Sequence, residues 1–369
     1  MIDVARARQL ALLVRRWQFF SPFVLVALAG SFCFFSLGGC GKRGSSHQAG
    51  KLTPCRLPGI EEDLLCGKLI VFENRQMRTG RTIDLNVVVL PALDPNNEEE
   101  PLFDLAGGPG VASTEGAIFY ASEGKEYRRH RDVVLVDQRG TGKSNGLHAE
   151  PRKSPQDFLT EMYPVEYVKR LRQTLEPRAD LTQYTTSIAM DDLDDVRSWL
   201  GYDRINLFGL SYGTRAALVY LRQHTERVRT VTLVGVAPTD LKMPLHHAEA
   251  AARAMELLLK ECEADAQCHE AFPQIRQDWE NVLAQLGREP ARVQYSPPDK
   301  SAPVTVEIQR DIFAEKVRTM MYGADKARRI PLMVNRAAAG DFELFLEEAI
   351  RPSIPDFIAD GMYLSVTCA

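Results

Sequence analysis

The 369-residue chain is 45% hydrophobic and 25% charged, an ordinary globular composition with enough length for one large or two ordinary domains. A formal net charge of −4 and a pI near 6.0 give no electrostatic footprint for nucleic acid. No internal repeat or long low-complexity tract is visible.

Arg6, Arg8, Arg15 and Arg16 precede an uncharged apolar stretch over residues 19–37. A basic segment followed by an apolar one reads as a secretory signal. The run also has the length of about 20 residues that a bilayer requires. It ends in Leu37-Gly38-Gly39-Cys40, which resembles the lipobox of bacterial lipoproteins. That resemblance implies that Cys40 is acylated and becomes the mature N-terminus. The alternative is an uncleaved membrane helix with its arginines on the cytoplasmic side. Either way the body is exported to a bacterial cell envelope and tethered to its membrane through residues 1–40, with 41–54 as a polar linker.

Export governs how the seven cysteines are read. Cys33 lies in the signal and Cys40 is the lipid site. Cys55 with Cys66, and Cys262 with Cys268, are close pairs of the kind that form disulfides in an exported chain, and Cys368 has no partner. No histidine stands at zinc-finger spacing from either pair, so neither metal nor cofactor is expected.

Residues 68–72 and 83–90 read as strands joined by a turn at Thr79-Gly80, the second alternating as an outer antiparallel strand does. Residues 94–100 form an acidic, solvated loop. Two buried-type strands follow: 102–106 runs into Gly107-Gly108-Pro109-Gly110, and 132–137 into Gln138-Arg139-Gly140-Thr141-Gly142-Lys143-Ser144. Ile188, Leu193, Val196, Trp199 and Leu200 fit one helical face, which Gly201 ends. An apolar strand then reaches Gly209-Leu210-Ser211-Tyr212-Gly213, a helix continues to about His224, and a strand covers 231–235. Strands alternating with helices predict a mostly parallel sheet, helix-covered on both faces, over residues 55–240. Beyond Pro244 the pattern becomes helical, as in Phe313, Val317, Met320 and Met321, and predicts a helical cap over residues 241–369.

Strand, tight turn and helix are the context in which Gly-x-Ser-x-Gly presents a nucleophile, here Ser211. Small residues at Gly209 and Gly213 avoid collision with neighbouring backbone. The alternative is a serine that only caps its helix. An acyl-transfer serine also needs backbone N–H groups where the oxyanion forms. Tyr212 supplies one, and Gly108 or Gly110 the other, since Pro109 has no N–H. Gly140-Thr141-Gly142-Lys143-Ser144 imitates a phosphate-binding loop, but Asp137 occupies the position of that motif's first glycine. Asp137 and Arg139 are instead expected to support the loop through an ion pair or backbone hydrogen bonds.

Together these three motifs, in this order, resemble the proline iminopeptidase and tripeptidyl aminopeptidase group of α/β-hydrolase serine peptidases. Both cysteine pairs and the closing Tyr363-Leu364-Ser365-Val366-Thr367-Cys368 resemble its secreted tripeptidyl branch. The resemblance implies attack by Ser211 on a peptide carbonyl near the free N-terminus of a short peptide. It also implies a cap that narrows the cleft.

The same resemblance implies an acid and then a histidine after the nucleophile, each following a strand. His224, His246, His247 and His269 follow Ser211, none after a late strand. The sequence is therefore expected to be truncated, lacking the last strands and the triad's acid and histidine, with Ser211 poorly activated. A carboxylesterase, another hydrolase of the same fold and a non-catalytic binding protein remain the alternatives.

Overall fold

The computed structural model describes residues 51–94, 99–298, 302–351 and 357–369. The signal, the apolar run 19–37 and the lipid site Cys40 lie outside the described residues. Among those described, no helix is long and apolar enough to cross a membrane.

Seven strands form one mixed sheet: β1 (Thr53–Cys55), β2 (Leu64–Phe72), β3 (Thr82–Leu90), β4 (Leu102–Leu105), β5 (Val133–Val136), β6 (Ile205–Leu210) and β7 (Val228–Val234). Their spatial order is β1-β2-β3-β5-β4-β6-β7. The β1–β2, β2–β3 and β3–β5 pairings are antiparallel, and β5–β4, β4–β6 and β6–β7 are parallel. Period-two alternation divides β3 between two cores. Leu85, Val87 and Val89 enter one face, and Val88 and Leu90 the other. All four residues of β5 are buried, as a central strand covered on both sides requires.

Helices α1 (Ala117–Ala121), α2 (Val165–Leu175), α3 (Thr186–Leu200) and α4 (Tyr212–Gln223) cover the sheet. Helix α3 buries Ala189, Met190, Leu193, Val196 and Leu200. The Thr185 hydroxyl caps it by accepting from Ile188 N, and Gly201 ends it at φ 87°, where glycine avoids the usual left-handed penalty.

The later residues build a third apolar core from α5 (His247–Ala264), α6 (Ala266–Ala271), α7 (Ile275–Arg288), α8 (Arg310–Met320), α9 (Ala324–Ala327), α10 (Ile330–Ala338) and α11 (Glu343–Ala349). Phe313, Val317 and Met320 are buried in it, and Met321 is half-buried at its margin. The sequence pattern predicted a helical cap, but this region is not wholly helical. Strands β8 (Ala291–Tyr295) and β9 (Val304–Ile308) pair as an antiparallel hairpin. Short segments mixing polar and apolar residues carry a weak strand signal, which hid it. Leu159, from the turn Pro155–Leu159, joins this core. The last helix, α12 (Asp360–Cys368), packs elsewhere: Met362 and Val366 lie with Leu171 and Leu175 in the core of the sheet.

Cys55 and Cys66 form a disulfide between β1 and β2, and Cys262 and Cys268 form one between α5 and α6. Cys368 is free and exposed.

Candidate active site

Strand β6 ends at Leu210, and Ser211 turns the chain into α4 at φ 55° and ψ −119°. A serine rarely adopts a positive φ, so the surroundings must enforce it. The flanking glycines show how. A Cβ on Gly213 would lie 1.9 Å from Leu105 O, and one on Gly209 would lie 2.5 Å from Gly213 O. Only glycine lets β4, β6 and α4 approach this closely. Ser211 N donates to Val234 O at 2.9 Å, while Thr214 N and Oγ1 donate to Ser211 O at 3.0 and 2.6 Å. The serine side chain makes no capping bond to its helix, and the residue is exposed. The capping alternative therefore fails.

Tyr212 opens α4, so its backbone N–H is among the first-turn donors that lack an intrahelical acceptor. Its phenol is buried 2.9 Å from Thr186 Oγ1, and that burial pushes it up to about 12.

Parallel pairing of Leu105 with Gly209 sets the end of β4 beside the elbow. The chain then crosses directly in front of the nucleophile. A Cβ on Gly107 would lie 3.5 Å from Ser211 Cβ and 4.0 Å from its Oγ. Gly108 and Gly110 both have φ +112°. Gly110 is buried against Ile358 and Ala359, and its carbonyl accepts from Ala359 N at 3.0 Å. Gly108 is only half-buried.

Asp137 is fully buried beneath this loop. Its carboxylate accepts from Thr114 N and Oγ1 at 3.0 and 2.8 Å, Asn86 Nδ2 at 2.9 Å and Lys143 N at 3.1 Å. Arg139 is equally buried but pairs with a different acid. It grips Asp192 of α3 bidentately at 2.6 and 2.9 Å and donates to the carbonyls of Glu73 and Gln183. Asp137 and Arg139 thus fasten two separate seams. Neither Asp192 nor Asn86 was legible as a partner, because a long-range partner leaves no local pattern. The N–H groups of Gly140, Thr141, Lys143 and Ser144 all have protein acceptors. The phosphate-loop imitation therefore has few donors left for an anion.

None of the described histidines hydrogen-bonds the Ser211 hydroxyl. His224 stands thirteen positions along α4, about 20 Å away at the helical rise, with Nε2 3.0 Å from Asp191 Oδ1. His246 pairs with Glu249 at 3.5 Å. Burial, then the charge of Arg318, holds His247 below the usual imidazole range. His269 lies in α6, away from the elbow's own strand and helix. Among the described residues no cluster of His, Cys, Asp or Glu is arranged to hold a metal ion.

Residues 102–282 match the family profile described as the α/β-hydrolase fold. Serine protease Hip1 of Mycobacterium tuberculosis is 24% identical over 289 residues, covering 72% of this chain and 55% of that protein. A probable proline iminopeptidase of Streptomyces coelicolor is 31% identical over 142 residues, 38% of this chain and 34% of that protein. A proline iminopeptidase of Xylella fastidiosa is 28% identical over 141 residues, again 38% of this chain and 34% of that protein. The chain thus spans about half the length of the Hip1 proteins it matches and about a third of the iminopeptidases.

Proposed function

We propose that this chain, which carries the α/β-hydrolase fold, belongs to a serine peptidase that acts through an acyl-enzyme on Ser211. The observation that carries the reading is the strained, exposed serine with Gly107 in front of it. In the proposed reaction Ser211 Oγ attacks the substrate carbonyl, and the oxyanion is held by the N–H groups of Tyr212 and Gly108. Gly108 is favoured over Gly110 because Gly110 is turned into the protein against Ala359. Asp137 and Arg139 hold the surrounding loops. The finer reading is an exopeptidase of the tripeptidyl aminopeptidase type that takes short peptides at their N-terminus. Relatives named serine protease and proline iminopeptidase support a peptidase, and the tripeptidyl type rests on the resemblance of the cysteine pairs and the closing segment.

The proposed oxyanion donors are backbone groups, and among the described residues no histidine is bonded to the nucleophile. Slow turnover is the expected behaviour of this chain. Two disulfides support an oxidising compartment, and with Cys40 they favour an exported lipoprotein.

A fluorophosphonate probe tests the nucleophile. It should label the wild-type chain slowly and faster with added imidazole as a surrogate base, and leave Ser211→Ala unlabelled. Labelling that survives in Ser211→Ala, or none in wild type even with imidazole, overturns the reading. Tripeptidyl anilides against short acyl esters, with the Ser211→Ala background subtracted, then separate a peptidase from an esterase.

A further inference from the structure

We propose that Thr214 is a positioning residue for Ser211, its hydroxyl joining the strained bend to the connector that runs from β7 into the cap. The inference rests on reading Ser211 as the nucleophile. Thr214 lies in the first turn of α4 and is fully buried. Its Oγ1 donates to Ser211 O at 2.6 Å, and its amide donates to the same carbonyl at 3.0 Å. A threonine hydroxyl often bonds back along a helix in this way. Here the same oxygen also accepts from Ala237 N at 2.8 Å, 23 residues further along the chain. The hydroxyl's one hydrogen and one of its lone pairs are thus committed to two different segments.

A residue's ψ decides where its carbonyl points, so two donors on Ser211 O hold ψ at −119°. With φ at 55° and Ser211 N bonded to Val234 O, that fixes the direction in which the side chain leaves the bend. A conformation so unfavourable for serine persists only where its neighbours over-determine it. The connector is held by hydrogen bonds rather than by packing, since residues 238–240 are exposed and Ala237 is half-buried. Arg215, the next residue of α4, supplies more of these bonds. Its guanidinium donates to Pro238 O at 3.0 Å, to Thr239 O at 3.3 Å and to Leu241 O. The chain then enters α5 at His247. The first turn of α4 therefore holds the nucleophile on one side and the cap's connector on the other. Removing the Thr214 hydroxyl releases both: Ser211 O loses its shorter bond, and the Ala237 N–H loses its acceptor.

Thr214→Val keeps the side chain's shape without its hydroxyl, and Thr214→Ser keeps the hydroxyl. Imidazole-assisted fluorophosphonate labelling of the full chain, followed over a range of probe concentrations, tests the positioning role. In Thr214→Val the limiting rate at saturating probe should fall about tenfold, the scale of one net hydrogen bond. The half-saturating concentration should not change, and Thr214→Ser should label at the wild-type rate. Equal limiting rates in wild type and Thr214→Val overturn the proposal. So does a loss confined to the half-saturating concentration, or a serine variant as slow as the valine one. Amide hydrogen exchange reads the bridge without any labelling. The Ala237 amide should be protected in wild type and in Thr214→Ser, and in Thr214→Val should exchange as fast as that of exposed Val236. Where Thr214→Val does not fold, the wild type decides, because an Ala237 amide there as fast as Val236 refutes the bridge. A wild type that takes up no phosphonate even with imidazole refutes the nucleophile and leaves the exchange result untouched.

Discussion

A single carboxyl on β4 has a consequence for stability. Burial raises the Asp104 carboxyl to about 7 in the folded chain, against 3.8 for an ordinary aspartate. Between those values the folded chain holds a proton that the unfolded chain has released, so stability falls as pH rises. The contribution is complete below about pH 4 and gone once pH has climbed through about 7. Each unit of difference is about 1.4 kcal/mol. Urea denaturation of wild type against Asp104→Asn should therefore differ by a few kcal/mol more at pH 8 than at pH 4. A constant difference would contradict the assignment. At this scale the sequence was unevenly legible. Gly209, Ser211 and Gly213 announce themselves because one steric requirement forces all three. Asp104 does not, since an acid inside an apolar strand looks like any interruption until the depth of its burial is seen.

Between elements, the joint from Arg139 to α3 is the most exposed to test. Arg139 and Asp192 are both buried, and Arg75 adds a second contact to Asp192 at 2.9 Å. Asp192→Ala strands the Arg139 guanidinium without its acid, and breaking a buried pair in this way costs about 3–5 kcal/mol. Thermal or urea unfolding should show a loss of that size, while a loss under about 1 kcal/mol would mean that water already serves the guanidinium. Elements with a strong period were readable: β5 as a buried run, and α3 by its apolar face and its glycine stop. The hairpin β8–β9 was not, being five residues a side with polar residues interleaved. Nor was the placing of α12. Its residues are apolar enough for either core, and only the tertiary contacts of Met362 and Val366 assign it to the sheet.

Over the whole molecule, the two cores flanking the sheet and the core of the later helices divide the work. The sheet presents Ser211, and the later helices gather around Phe313, Phe342 and Phe345, with Phe313 4.7 Å from Phe345. Among the described residues β7 is the outer strand of the sheet, with Arg229, Thr230, Thr232 and Val234 exposed. An unpaired strand edge templates further strands, and a lysine on such an edge blunts it. The chain should therefore self-associate as its concentration rises, and Thr232→Lys should lower the mass seen by light scattering. A wild type that stays monodisperse at every concentration would count against an open edge.

The hydrogen bond from Ala359 to Gly110 gives the final helix a practical use. Cys368, near its far end, is the one free thiol among the described residues, the others being locked in disulfides. A maleimide dye there would sit on a rigid lever whose other end leans on the glycine loop. Its emission could then follow loop movement during acylation without any engineered attachment point.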